Sequence, residues 1–518
     1  MFFCTSSAIG APPSAQWNRG QTIMSRRLVS IAAGALLAAC GGGGGSGGGV
    51  ANPPPPPPPP PPPSLQGVYT AQQDTPGVYE LYLVDIENPG DSTKLNGTLV
   101  AGGNVFNIAA GAGGEQVIYR ADQDTDEVFE LYLVDVGNPG NSVKLSEGLT
   151  AGGAVSGFEV SADGGRVLYR ADQDTDGVTE LYLVEVAAPG ASVKANDTLV
   201  AGGDVLASAA FSPDGSQVIY GADQEIDGQP ELYLVEVANP GVSAKLSGAM
   251  VVGGTIEPSG FGFSPDGTEV AYIADQDTNG VNELYLVEVA SPGESQKLSD
   301  SLVANGNVEH FAFSPNGAQV VYTADQDTDD VLELYLVDVA TPEVSIKLND
   351  ALVAGGNVSA SFAFDADGAR VIYRADQGTD EVPELYIVDT AMPGASMKVN
   401  ETLVAGGEVS FNFAFTPDGT RVVYGAEQDA DNVRELYLVD AATPGASSKL
   451  SAPLVEGGMT ATFAFTPDGT EVVYFADQDT DDVFEIYLTD IAAPGVSTRL
   501  NGPIAPGGAG TGDFIFLP

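Results

Sequence analysis

The 518-residue chain carries 71 Asp and Glu against 19 Lys and Arg, a formal net charge of −52. A phosphate backbone would be repelled by such a surface, which excludes nucleic acid as a partner. One histidine and two cysteines leave no His/Cys cluster for zinc, and a Ser-His-Asp relay would have to use His310, a single variant of a repeated strand.

The first segment reads as targeting sequence. Met24-Ser25-Arg26-Arg27 is basic, Leu28 to Ala39 is apolar, and Leu37-Ala38-Ala39-Cys40 closes the run. The apolar stretch is too short to serve as a permanent membrane span. This order of features resembles the bacterial lipoprotein signal over residues 1–40, with Cys40 as the lipidated residue and Met24 as an alternative start. The resemblance implies an anchor in the cell envelope, and Gly41 after the cysteine implies the outer membrane. Residues 41–66 form a linker: a glycine tract, then eleven prolines from Pro53 to Pro63. Polyproline II geometry makes the latter a spacer of roughly 34 Å.

From residue 67 onward one phrase recurs nine times, close to Ala-Asp-Gln-Asp-Thr-Asp-x-Val-x-Glu-Leu-Tyr-Leu-Val-Asp, beginning at Ala71 and ending with the copy at Ala476. The 50 to 52 residue period is that of a repeat architecture. In the unit from Phe311 to Gly356, Phe311-Ala-Phe313 is one strand and Ser314-Pro-Asn-Gly317 a turn. Gln319-Val-Val-Tyr322 is a second strand, Leu332 to Asp338 a third, and Ser345-Ile-Lys-Leu348 a fourth. Four short strands per period predict an all-β fold, a single β-propeller of nine four-stranded blades, with eight as the alternative count. The array opens on a second strand, Val68-Tyr69, and ends on Asp513-Phe-Ile-Phe516, a first strand. The C-terminal strand is therefore expected to complete the first blade and close the ring.

Phe211-Ser-Pro-Asp-Gly215, Phe263-Ser-Pro-Asp-Gly267, Phe415-Thr-Pro-Asp-Gly419 and Phe465-Thr-Pro-Asp-Gly469 resemble the TolB-type, WD40-like propeller repeat. The resemblance covers nearly all of residues 67–518. It implies a protein-interaction or scaffold module with a protein or cell-envelope partner. The chain departs from TolB in the segment ahead of the propeller, where TolB carries an α/β domain.

Alternating strand directions predict that the acidic phrases and the Val-Ala-Gly-Gly segments share one face, with the Ser-Pro-Asp-Gly turns on the other. The phrases hold half of the chain's acidic residues. Carboxylates at alternate positions followed by a bend can wrap a hard cation in oxygens. Candidate Ca²⁺ ligands are therefore Asp122, Asp124, Asp126 and Glu130; Asp172, Asp174, Asp176 and Glu180; Asp275, Asp277, Asn279 and Glu283; Asp325, Asp327, Asp329 and Glu333; and Asp477, Asp479, Asp481 and Glu485. The other reading makes them solvated hairpin tips, without a cofactor. Near-identical blades give no catalytic pair that stands apart, so the chain reads as a non-enzymatic monomer, touching membrane only through its lipid. A carbohydrate-binding propeller, or carboxylate-based glycan processing, is the alternative.

Overall fold

The structure is a computed structural model and describes residues 64–517; Cys40 and the glycine and proline tracts lie outside the described residues. Thirty-six strands form nine antiparallel four-stranded sheets, so the blade count is nine. Blade 2 shows the pattern: Val105–Ala110 innermost, then Gln116–Ala121, Glu130–Asp135 and the short outer strand Val143–Lys144. Blade 1 is built from both ends of the described chain. Thr511–Leu517 is its innermost strand and pairs antiparallel with Gln66–Ala71, as the sequence predicted. Glu80–Asp85 and Ser92–Lys94 complete it.

Period-two alternation in each strand sends one set of side chains toward the preceding blade and the other toward the next. The core therefore lies between blades. Val68, Leu81 and Leu517 of blade 1 pack against Val105, Val117, Tyr119 and Tyr132 of blade 2. Inside blade 2 the rings of Tyr119 and Tyr132 stack at 5.6 Å, and the other blades repeat the pair at 5.4 to 5.8 Å. Burial of each such ring stabilises by about 1.5–3 kcal/mol, and the offset stacking adds roughly 0.5–1.5 kcal/mol. The buried hydroxyls are satisfied locally: Tyr119 donates to Gln123 Oε1 at 2.8 Å, and Gln123 Nε2 donates to Ser142 Oγ at 3.0 Å.

Blades converge toward the axis, so the innermost strands need small residues where they face the next blade. Ala109, Ala210, Ala312, Ala363, Ala414 and Ala464 fill that position, one residue after the partner of the stacked tyrosine. In blade 3 the same position holds Glu159, opposite Leu168.

The face assignment also holds. Val100 N donates to Gln123 O at 3.0 Å, tying the blade-to-blade connection to the acidic loop beside it. Gly102 has φ 96°, and a Cβ there would lie 2.5 Å from Asp126 Oδ1, so this glycine lets loop and connection touch. On the opposite face Ser212 and Asp214 close their turn through a 2.7 Å hydrogen bond.

Candidate functional site

In the five loops with candidate calcium ligands the positions divide into four separate tasks. The first acid fastens main chain: Asp122 Oδ1 accepts from Asn104 N at 2.5 Å and its Oδ2 from Glu127 N at 3.1 Å. Asp172, Asp275, Asp325 and Asp477 bridge the same two kinds of amide, from Ala154 and Gly177, Thr255 and Gly280, Asn307 and Asp330, and Met459 and Asp482. In blade 1 the neutral Gln72 does this with one oxygen, accepting from Gly77 N at 2.9 Å and Ala509 N at 3.0 Å. An acceptor is what the position requires, not a charge.

The second acid and the glutamate face a lysine. Lys144 Nζ lies 2.6 Å from Glu130 and 3.1 Å from Asp124. Lys194 joins Glu180 and Asp174, and Lys347 joins Glu333 and Asp327. Lys297 pairs with Glu283, and Arg499 with Glu485, while Asp277 and Asp479 lie beside Tyr285 and Tyr487. Lysine and glutamate are brought together because Lys144 sits in register opposite Tyr132, whose hydroxyl donates to Glu130 at 3.2 Å. The lysine ammonium groups are held in the charged form above their usual range by these carboxylates, against the opposing effect of burial.

The third position points at the glycine connection. Asp126, Asp176, Asn279 and Asp481 lie against Gly102, Gly152, Gly253 and Gly457, and Asp329 accepts from Asn305 Nδ2 at 3.2 Å. The bend itself is left-handed in every loop: Gly77, Gly177, Gly228 and Gly280 share it with Glu127, Asp330, Glu381, Asn432 and Asp482. The expected calcium ligands thus do not converge. Two are committed to a lysine or its neighbourhood, one to main-chain amides and one to the glycine connection that leads into the same blade. Among the described residues no three such side chains are grouped to hold an ion.

Chemistry not shared by all blades collects along the innermost strands, on the side of the acidic loops. The residue after each second-strand tyrosine faces the next blade and varies freely: Thr70, Arg120, Arg170, Gly221, Ile273, Thr323, Arg374, Gly425 and Phe475. Arg374 is 5% exposed and fully engaged. Its Nε donates to Val409 O at 2.7 Å, Nη1 to Ser359 Oγ at 3.0 Å and Nη2 to Glu408 Oε2 at 2.9 Å. The guanidinium lies 4.0 Å from the ring centre of Phe411, which is nonetheless 54% exposed. Arg434 reaches Glu408 from the other side at 3.4 Å.

Blades 2 and 3 carry a second basic group. Arg120 Nη1 donates to Ser156 O at 2.8 Å, and its guanidinium lies 4.9 Å from the ring centre of Phe129. Arg170 Nη2 lies over Gly157, 2.8 Å from where a Cβ would sit. Glu159 is open to the channel, but the strands around it withhold water. That desolvation pushes its carboxyl up to about 7, against the pull of Arg170 and a Phe211 amide. Asp513 is raised for the same reason, against Asn107 N and Arg120. Blades 5 and 6 are acidic instead: Glu309 is raised by burial and then by Asp325 and Glu257, beside a groove of about 540 Å³. His310, in the same innermost strand, is opposite Thr323.

No family model and no curated protein matches the chain. Similar solved structures include a eukaryotic initiation factor, with a TM-score of 0.52 at 12% identity, over 88% of this chain and 99% of that one. Dipeptidyl peptidase 4 of Porphyromonas gingivalis gives 0.53 at 14% identity, over 76% of this chain; the match spans 59% of the peptidase. A TolB from Agrobacterium tumefaciens gives 0.31 at 18% identity, over 47% of this chain and 79% of that one. At 12% and 14% identity the likeness to the first two is one of fold.

Proposed function

We propose that the protein is a binding module: a closed nine-blade ring that takes a protein partner at the channel mouth on its acidic-loop face, tethered to a bacterial envelope by lipid on Cys40. The observation that carries this reading is Phe411. The residue is 54% exposed, yet a buried arginine with every guanidinium nitrogen engaged backs its ring at 4.0 Å. Aromatic anchors held rigid at a concave mouth are what protein interfaces use.

The reading is non-catalytic, and calcium has no part in it, since the loop carboxylates are engaged by lysines and main-chain amides. A photo-cross-linking amino acid at position 411 of the full chain, irradiated in bacterial cells, tests the reading. Discrete protein adducts are expected from position 411, and none from the same probe at position 346 on the outer rim. Equal labelling from both positions, or none from 411, contradicts it.

The same exposed ring favours a second reading, a carbohydrate-binding propeller, because an aromatic face also stacks on sugar rings. Retention on a glycan surface that is lost in Phe411→Ala would support it over the first.

A further inference from the structure

The protein is strongly acidic, and the cations of its outer strands are matched with carboxylates. Two arginines in the channel wall, Arg120 and Arg170, have Asp513 and Glu159 nearby but form an ion pair with neither. Among the described residues the Arg170 guanidinium makes no hydrogen bond and no ion pair; it feels Glu159 and the like charge of Arg120 only through space. Arg120 donates to the carbonyls of Val155 and Ser156, its Nε is buried without a partner, and Phe129 covers one of its faces. Arg120 Nη1 sits on the Ser156 carbonyl and Arg170 Nη2 over Gly157, the next residue, so the two desolvated guanidinium groups are neighbours and Arg170 feels the like charge of Arg120. Desolvated like charges side by side are unfavourable unless an anion joins them.

We propose that Arg120 and Arg170 form an anion subsite in the channel wall between blades 2 and 3, which takes the carboxylate of a ligand. A guanidinium presents planar, paired N–H donors that match a carboxylate. Glu159 and Asp513 stand close enough to act on these arginines, and the whole chain is negative. Both conditions disfavour a dianion such as phosphate and leave a monoanion as the better fit. The subsite does not depend on the partner reading above, because it lies in blades 2 and 3 and uses no residue around Phe411.

The test is ¹⁹F NMR of trifluoroacetate with the full chain at constant ionic strength. The resonance is expected to broaden with the native protein and to sharpen again with acetate. Arg170→Gln removes no hydrogen bond of the fold, and it should weaken binding about ten-fold, the equivalent of one charge-assisted contact. Arg120→Lys, which keeps the charge but loses the fork, should weaken it less. A peptide with a free C-terminus against its amide, and a hexuronic acid against its methyl ester, then separate the two sources of carboxylate; displacement by either free acid supports the subsite. No broadening, equal broadening in both variants, or phosphate displacing as well as acetate overturns the proposal.

Discussion

Lys144 holds Glu130 at 2.6 Å across the two outer strands of blade 2, with the glutamate side chain 7% exposed and the lysine 35% exposed. The pair joins the acidic loop to the blade edge. With its counterparts, it places a cation inside the cluster of negative charge at each blade. Breaking it strands a buried carboxylate. Lys144→Met is expected to lower stability by about 2 kcal/mol, less than a fully buried pair would because water reaches the lysine. Adding Glu130→Gln should restore most of the loss, since the stranded charge is gone. Urea unfolding of the three variants checks both steps.

The left-handed bend of the acidic loop separates two kinds of residue by a backbone argument alone. Gly177 has φ 76° and open space around its Cβ position, so Gly177→Ala costs only conformation, about 1 kcal/mol. Glu127 already occupies the same region at φ 64°, and Glu127→Gly is expected to be neutral or slightly stabilising. Thermal melts of the two variants should move in different directions or differ clearly in size.

Ring closure rests on the pairing of Thr511–Leu517 with Gln66–Ala71. Ending the chain after Gly510 would expose that strand edge and the buried Val68 and Tyr69. Limited proteolysis should then cut blade 1 first, while the intact chain resists. Equal resistance of both chains would contradict closure as a stabilising device.

Glu159 gives the fold a pH dependence of definite sign. Its folded carboxyl titrates at about 7, above the ordinary value of 4.5, so ionisation is disfavoured in the folded chain. Below pH 4.5 the group is neutral in both states; the penalty grows as pH rises and is complete above about 7. Glu159→Gln should therefore raise the melting temperature at pH 8 relative to the native chain. The two should converge near pH 4, apart from the intrinsic effect of the amide.

Much of this was legible in the sequence. The four-strand unit, the nine copies and the split first blade follow from period-two runs, turn residues and the two unequal ends of the array. The loop's partner was harder to see because it lies on another strand. Yet a signal was present: a lysine, or Arg499 in blade 9, follows each glutamate of the phrase by fourteen residues, as Glu130 and Lys144 or Glu283 and Lys297 show. Constant spacing across a hairpin is the mark of a cross-strand pair. The variable position after the second-strand tyrosine was also readable. Its importance was not, because only the ring brings Arg120 beside Arg170, or Arg374 beneath Phe411.

Titration calorimetry of the full chain with Ca²⁺, paired with melts in Ca²⁺ and in EDTA, bears most directly on the claim that the acidic loops are internal ion-pair devices. Carboxylates already held by Lys144 and its counterparts, and by main-chain amides, predict no saturable heat and superimposable melts. Saturable binding at several sites per chain, with a melting temperature that falls in EDTA, would contradict it.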